Sequence, residues 1–340
     1  MKNILINFAH PVFGNNSIFH AVDINNLNEP WKVLKKRLLS IGYILETVDQ
    51  NSLSNCDWML FVDGDSLNSN IKHKKRNLYQ ECVDHKLEDK MALLMTESKA
   101  INPYNYTKQL HDKFSTIFTW DDDLVDNKKF FKLFIPYPKR EKRINRTNFN
   151  DRKTLVNISA NKLSRFSNEL YSMRRRSIKF FENKLGGQFD LFGPRWNKPI
   201  NRKEKFFPFL MPKFKNYKGI TKDKIETLSH YKFSLCYENA YGLNGYVTEK
   251  IFDCFNAVTV PIYWGVENIT DYVDKNAFID RRKFKSDKEL FNFLNSIDEN
   301  EYNKYLTAIE KYLTGDNYKL FLPENFADTI IKTLNLKTNL

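Results

Sequence analysis

Two α/β domains in tandem, each built on a parallel sheet, are what this sequence predicts, and three observations predict it. Short apolar runs alternate with amphipathic stretches along the chain, the pattern that strands and helices of a parallel sheet produce. The alternation stops once, between Tyr137 and Lys153 (YPKREKRINRTNFNDRK), and then restarts. The chain has 340 residues, 41% of them hydrophobic, which is ample for buried cores and too long for one ordinary domain.

In the first domain, 1–140, Lys2 to Phe8 reads as a strand. Trp31 to Ile41 reads as a helix with Leu34, Leu38 and Ile41 on one face, and Ile44 to Val48 as a second strand. Trp58 to Val62, Met91 to Met95 and Ser115 to Thr119 are further short apolar runs. After the charged linker, the second domain, 154–340, opens with a strand at Thr154 to Ile158 and a helix at Asn168 to Asn183. Phe189 to Phe192 is a strand ending at Gly193, Lys222 to Ser229 a helix, Phe233 to Tyr237 a strand, Val247 to Ala257 a helix and Thr259 to Trp264 a strand. The tail from Asp287 reads as mostly helical. Two such domains imply a cleft between them, with ligands beyond the carboxyl ends of the strands.

The net charge of +13 points to an anionic partner, whether nucleic acid, an acidic membrane surface or a phosphorylated small molecule. Cys56, Cys82, Cys236 and Cys254 show neither CxxC nor Cys/His spacing, which argues against a zinc site or disulfide framework and for a reducing compartment. MKNILINF is shorter than a secretory apolar region, and no run approaches the ~18 apolar residues of a membrane span, so a cytoplasmic protein is expected, with peripheral contact at the inner membrane face. Triplets such as Asn105-Tyr106-Thr107 and Asn157-Ile158-Ser159 arise by chance in an Asn-rich chain.

One stretch, FSLCYENAYGLNGYVTEKIFDCFNAVTVPIYWG, from Phe233 to Gly265, concentrates polar chemistry between two apolar strands. It places Glu238 and Asn239 at the carboxyl end of a strand, then a Gly-bearing loop, then a helix. Thr248 is the expected N-cap, its hydroxyl accepting from a first-turn N–H. Ile251, Cys254, Phe255 and Val258 form the expected buried stripe. Glu249 and Lys250 fall off it in the first turn, where a lysine opposes the helix dipole unless an anion lies between them. A phosphate would fill that place; a solvated surface lysine is the other reading.

This stretch resembles the signature of the α1,3/α1,4-fucosyltransferases, glycosyltransferase family 10: F-x-L-x-x-E-N, a short loop, Y-V-T-E-K-I, then V-P-I, all present between Phe233 and Ile262. TESKAINP from Thr96, FTWDDDLVD from Phe118, NELYSMRRRSIKFFE from Asn168, FDLFG from Phe189 and FIDRRKF from Phe278 resemble the bacterial branch more loosely. The resemblance implies a GT-B fold, two Rossmann-like domains facing across a cleft, the second holding GDP-fucose and the first the acceptor. It implies an inverting transfer of L-fucose to an N-acetylglucosamine-type oligosaccharide, in α1,3 or α1,4 linkage, in lipopolysaccharide or surface glycan synthesis. No cofactor and no metal are expected, and no membrane anchor of the kind Golgi members carry is seen.

Residue by residue, the resemblance assigns Lys250 to the diphosphate, with Arg174 as its partner among Arg174, Arg175 and Arg176. Glu249 matches the ribose-hydroxyl acceptor, and Asn239, Tyr246 and Thr248 belong to the same pocket. Glu238 either contacts the donor sugar or braces the loop. Glu97, after the strand MALLM, corresponds to the proposed catalytic base, although a carboxylate after a strand more often caps a loop. Asp121, Asp122 and Asp123 read as a turn and helix cap rather than metal ligands, and His10 as structural. The competing class, a nucleic-acid-binding protein, draws on the charge and on KFFPFLMPKFKNYKG, but no recognition helix, RNP-like motif or zinc spacing supports it. Acceptor choice is expected in the loops Asn7 to Asn26 and Ala100 to Asn105.

Overall fold

The computed structural model describes residues 1–20, 28–71, 74–137 and 147–338. The chain divides into two compact units, residues 1–138 with 319–340, and residues 139–318. Most of the expected linker, 138–146, and part of the first acceptor loop, 21–27, lie outside the described residues.

In the first unit β1 (Lys2–Phe8), β2 (Tyr43–Thr47), β3 (Trp58–Val62), β4 (Met91–Met95), β5 (Thr116–Thr119) and β6 (Phe130–Lys132) form a sheet in the order β2-β1-β3-β4-β5-β6. Every pairing is parallel. Side chains of successive residues leave a strand on opposite faces, and here both faces are covered. Ile4, Ile6, Leu60 and Leu94 enter one core while Leu5, Met59, Phe61 and Leu93 enter another. That is why these strands read as unbroken apolar runs. Helix α1 (Glu29–Ser40) lays Leu34 and Leu38 on the first face, and Ile41 is its C-cap. The three-residue β6 escaped the sequence reading because FFK is too short to show a period.

The second unit repeats the arrangement. β7 (Lys153–Ile158), β8 (Phe189–Phe192), β9 (Tyr231–Tyr237), β10 (Val260–Trp264) and β11 (Ile279–Asp280) order as β8-β7-β9-β10-β11, again all parallel. Helix α2 (Tyr171–Leu185) follows β7, α3 (Lys224–Ser229) precedes β9, and α4 (Glu249–Asn256) links β9 to β10. Helix α4 buries Ile251, Phe252, Cys254 and Phe255, but Val258 is outside it. Val258 takes the left-handed conformation, φ 56°, as the Thr259 N–H closes on the Cys254 carbonyl and the Val258 N–H on that of Phe255. The expected stripe therefore ends one turn early. The charged linker also ends in something buried: Arg152 donates to the carbonyls of Tyr231 (3.3 Å) and Val258 (2.7 Å) and to the Tyr302 hydroxyl (3.1 Å).

The tail corrects the domain boundary. Helix α5 (Pro323–Thr333) belongs to the first unit, where Phe326, Ala327 and Ile330 join the core under α1 and the Phe326 ring meets Trp31 edge-on at 5.2 Å. The second domain thus does not run to 340; it ends near Tyr318. An amphipathic helix packs wherever its apolar face finds a complementary one, and adjacency in sequence has no say in that.

Candidate functional site

In the second unit the strand order reverses between β7 and β9, since the chain leaves β7 toward β8 on one side and later fills the other side from β9. Ligands of such sheets bind beyond the carboxyl ends at this reversal. Those ends, Ile158–Ser159 and Tyr237, line a cavity of about 20 Å³ together with Arg174, Lys224, Lys250, Cys236 and Cys254, room for about one water. Gly193 stands against Ser159, one of the lining residues. A Cβ there would stand 2.1 Å from the Ser159 carbonyl oxygen, so only glycine lets the chain leaving β8 pass so near.

Glu238 is the hub. It is fully buried, and its carboxylate accepts from the Thr248 N–H (3.2 Å), the Thr248 hydroxyl (2.7 Å) and the Lys250 ammonium (2.9 Å). Two sequence expectations change here. The Thr248 hydroxyl does not accept from a first-turn N–H; it donates to Glu238, because a buried carboxylate has only acceptor capacity and takes every donor in reach. The anion that reconciles Lys250 with the dipole of α4 is this carboxylate, already part of the chain. These hydrogen bonds are the ones a brace of the loop would make. Gly265 makes room for it, since a Cβ at that position would lie 2.5 Å from Glu238 Cγ.

Lys250 is mostly buried and close to a second carboxylate, Glu249, at 3.5 Å. Burial alone would push its ammonium down, but Glu238 and Glu249 outweigh it and hold the group above the ordinary lysine range. Burial would push the Glu249 carboxyl up, yet the charges of Lys250 and Lys224 hold it down at about 2. Lys224 is in turn bound to Asp253 at 2.5 Å. Three cations, Arg174, Lys224 and Lys250, therefore meet three carboxylates, Glu238, Glu249 and Asp253. Asn239 donates to the Tyr246 hydroxyl at 3.4 Å, and Tyr246 is nearly buried.

The three arginines of α2 separate by facing. Arg174 is buried and donates to the carbonyls of Tyr237 (2.5 Å) and Glu238 (2.8 Å), while its Nε has no hydrogen-bond partner among the described residues. Arg175 is tied to Asn161 at 3.0 Å and approaches Glu204 at 3.7 Å. Arg176 is exposed. The sequence reading passed over Lys224, which lines the cavity. Nothing in the sequence marks Lys224. Arg195, exposed just past the end of β8, has φ 72°, rare for a residue with a Cβ.

In the first unit the exposed Glu97 follows β4, and what shapes its loop is Asp63, at φ 60° past the end of β3. The Asp63 carboxylate accepts from the N–H groups of Thr96 (2.8 Å) and Glu97 (3.1 Å), the Thr96 hydroxyl (2.5 Å) and the Asn105 amide (2.6 Å). The sequence reading missed Asp63; an Asp-Gly pair after a strand was its only signal. Asp121 to Asp123 form a turn, with Asp121 accepting from the Asp123 N–H at 3.1 Å, Asp122 bound to Lys132 at 2.6 Å, and no helix following. Burial pushes the Asp121 carboxyl up to about 6, and Asp123 and Asp122 add to the shift. His10 caps a short turn by accepting from the Val12 N–H.

Two α/β units on parallel sheets of this order are the arrangement of the GT-B fold, and solved structures agree on the fold. The chain is similar to an α1,3-fucosyltransferase crystallised with GDP, with TM-score 0.60 and 17% identity over 100% of this chain and 93% of that one. It is similar also to Anabaena Alr3699/HepE in complex with UDP and glucose, at TM-score 0.55 and 10% identity over 98% and 100%. Residues 209–322 match the model of glycosyltransferase family 10 (fucosyltransferase) C-term. An α-(1,3)-fucosyltransferase, FucT, of Helicobacter pylori is 40% identical over 88 residues, 26% of this chain and 18% of that protein. An Arabidopsis thaliana α-(1,4)-fucosyltransferase is 39% identical over 80 residues, 23% and 20%. The matched stretch is thus about a fifth of these relatives' length.

Proposed function

We propose that this chain is an inverting fucosyltransferase that moves L-fucose from GDP-fucose to a hydroxyl of an N-acetylglucosamine-type acceptor glycan, in α1,3 or α1,4 linkage, with no metal required. The observation that carries this reading is the cation-lined strand reversal lying beside the family 10 segment. In this reading Lys250 exchanges a carboxylate contact for a diphosphate oxygen when the donor enters. Lys224, which lines the same cavity, supplies further positive charge. Arg174 acts from below, holding the carbonyls of Tyr237 and Glu238 so that the loop toward Tyr246 keeps its shape. Glu249, ionised far below neutral pH, accepts from the ribose hydroxyls, with Asn239, Tyr246 and Thr248 around it.

The chemical step then balances simply. Glu97 takes the proton of the acceptor hydroxyl as its oxygen bonds to C1 of fucose from the face opposite the phosphate. The C1–O bond to the diphosphate breaks, and GDP leaves with the electron pair. Fixed cations stabilise that departing charge. A lipopolysaccharide or related surface glycan on the cytoplasmic side is the acceptor we favour.

The test is a panel of GDP-sugars against type-1 and N-acetyllactosamine-type acceptors, with the linkage and anomer of the product read by NMR. Transfer from GDP-fucose with inversion supports the proposal, and absence of transfer from any GDP-sugar overturns it. Glu97→Gln is expected to lower turnover by roughly 10²-fold or more with GDP affinity intact. A loss of GDP affinity instead would remove Glu97 from the role of base.

A further inference from the structure

The second unit carries an apolar surface that the donor chemistry does not use. From 206 to 212 the sequence is FFPFLMP, seven residues without one polar side chain, and it is not in a core. Phe206 is 73% exposed, Phe207 51%, Phe209 79% and Leu210 53%. Isolated exposed apolar residues are ordinary, but four large ones within five positions are not.

This segment is held in shape. The Phe207 N–H bonds the Lys203 carbonyl (2.8 Å), the Leu210 N–H that of Phe207 (2.9 Å) and the Met211 N–H that of Pro208 (3.1 Å). At its base Asn201 caps the turn by accepting from the Glu204 N–H at 2.9 Å, and Glu204 accepts from the Ile200 N–H at 3.0 Å. The apolar side chains are thus presented outward on an ordered backbone, and the ordering entropy is already spent.

The charges around it have one sign. Arg202, Lys203 and Lys205 precede the apolar run and Lys213, Lys215 and Lys218 follow it, all six exposed. The one acid between 201 and 222, Glu204, is buried and turned inward toward Asn201 and Arg175. An apolar tip collared by cations matches the interface of an anionic bilayer, where rings enter the acyl boundary and ammonium groups stay among the headgroups. Single-stranded nucleic acid calls for a different layout, with cations interleaved among stacking rings along a groove. Among the described residues no helix is long and apolar enough to cross a membrane. The contact drawn here is interfacial.

We propose that residues 202–215 form a docking surface for anionic phospholipid bilayers, with Phe206, Phe207, Phe209 and Leu210 inserting and the flanking basic residues binding headgroups. This is independent of the donor-site reading, and the two are measured separately.

The experiment is co-sedimentation of the whole chain with vesicles of pure phosphatidylcholine, and of phosphatidylcholine with one quarter phosphatidylglycerol. Partitioning at least roughly tenfold stronger into the anionic vesicles is expected. The double change Phe206→Ser and Phe209→Ser should lower it roughly tenfold or more. The double change Lys203→Ala and Lys205→Ala should also lower it, by roughly fivefold for each charge. Thermal melting and GDP binding, measured on the same samples, should not move. Phe209→Trp is expected to shift its fluorescence to the blue with anionic vesicles alone.

Equal partitioning of the double-serine variant, or no vesicle binding by the parent chain, overturns the proposal. So does displacement from vesicles by a single-stranded oligonucleotide bound through the same phenylalanines. A dimer in light scattering that the serine variant dissolves would assign the surface to a second copy and overturn it as well.

Discussion

Lys250→Ala tests the unit at the heart of the site, because Lys250 is the cation on a carboxylate with no access to water. At 2.9 Å from Glu238, with an effective dielectric of about 20, the Coulomb attraction is about 6 kcal/mol. Much of this offsets desolvation already incurred, and Glu238 keeps the Thr248 N–H and hydroxyl after the change. Removing one partner of a buried pair costs about 3–5 kcal/mol, and the two retained donors place the expectation near about 3 kcal/mol. Urea denaturation of the parent chain and the variant, followed by far-UV circular dichroism, measures it. The cycle is completed by Glu238→Gln, alone and with Lys250→Ala. Once Glu238 is neutral the lysine has no charge to compensate, so the double variant should lose much less than the sum, with a coupling of at least about 1.5 kcal/mol. A loss under about 1 kcal/mol for Lys250→Ala, or additivity in the cycle, refutes the hub. The cycle also guards the functional test, since weakened GDP binding in a collapsed loop says nothing about phosphate contact; GDP titrations belong on the double variant.

Other outcomes follow from the same geometry. Asp63→Ala removes an acceptor of four hydrogen bonds behind Glu97 and should cost about 3 kcal/mol in a urea melt; a loss below about 1 kcal/mol would show that the loop holds itself. Asp121 has a carboxyl raised from 3.8 to about 6, so the folded state binds its proton more tightly and stability falls as pH rises through that window. Asp121→Asn should therefore melt close to the parent at pH near 4 and gain on it toward pH 7, and a difference that does not change with pH contradicts the burial argument. Gly265→Ala, which sets a methyl group against Glu238 and Tyr263, should lower the melting temperature by several degrees.

The sequence by itself determined the class of fold, the strands bearing the site and the position of the polar loop. These depend on apolar runs and turn residues, which act locally: MALLM and FSLCY are buried on both faces wherever they pair. It also singled out Glu238, Thr248, Glu249 and Lys250 as one group, because strand end, loop and helix start are consecutive in the chain. Only the tertiary structure decided what these groups do to one another. Whether Thr248 donates or accepts, whether an anion near Lys250 belongs to the chain, and which arginine of α2 faces inward all depend on where Tyr237, Glu238 and α2 meet. Lys224 with Asp253, and Asp63 with Thr96 and Glu97, are likewise pairs separated by about 30 residues, and no local pattern encodes them. The return of α5 to the first unit has the same cause. Hydrophobic burial is indifferent to chain order, so the partner of an apolar face is chosen by packing, after the elements have formed.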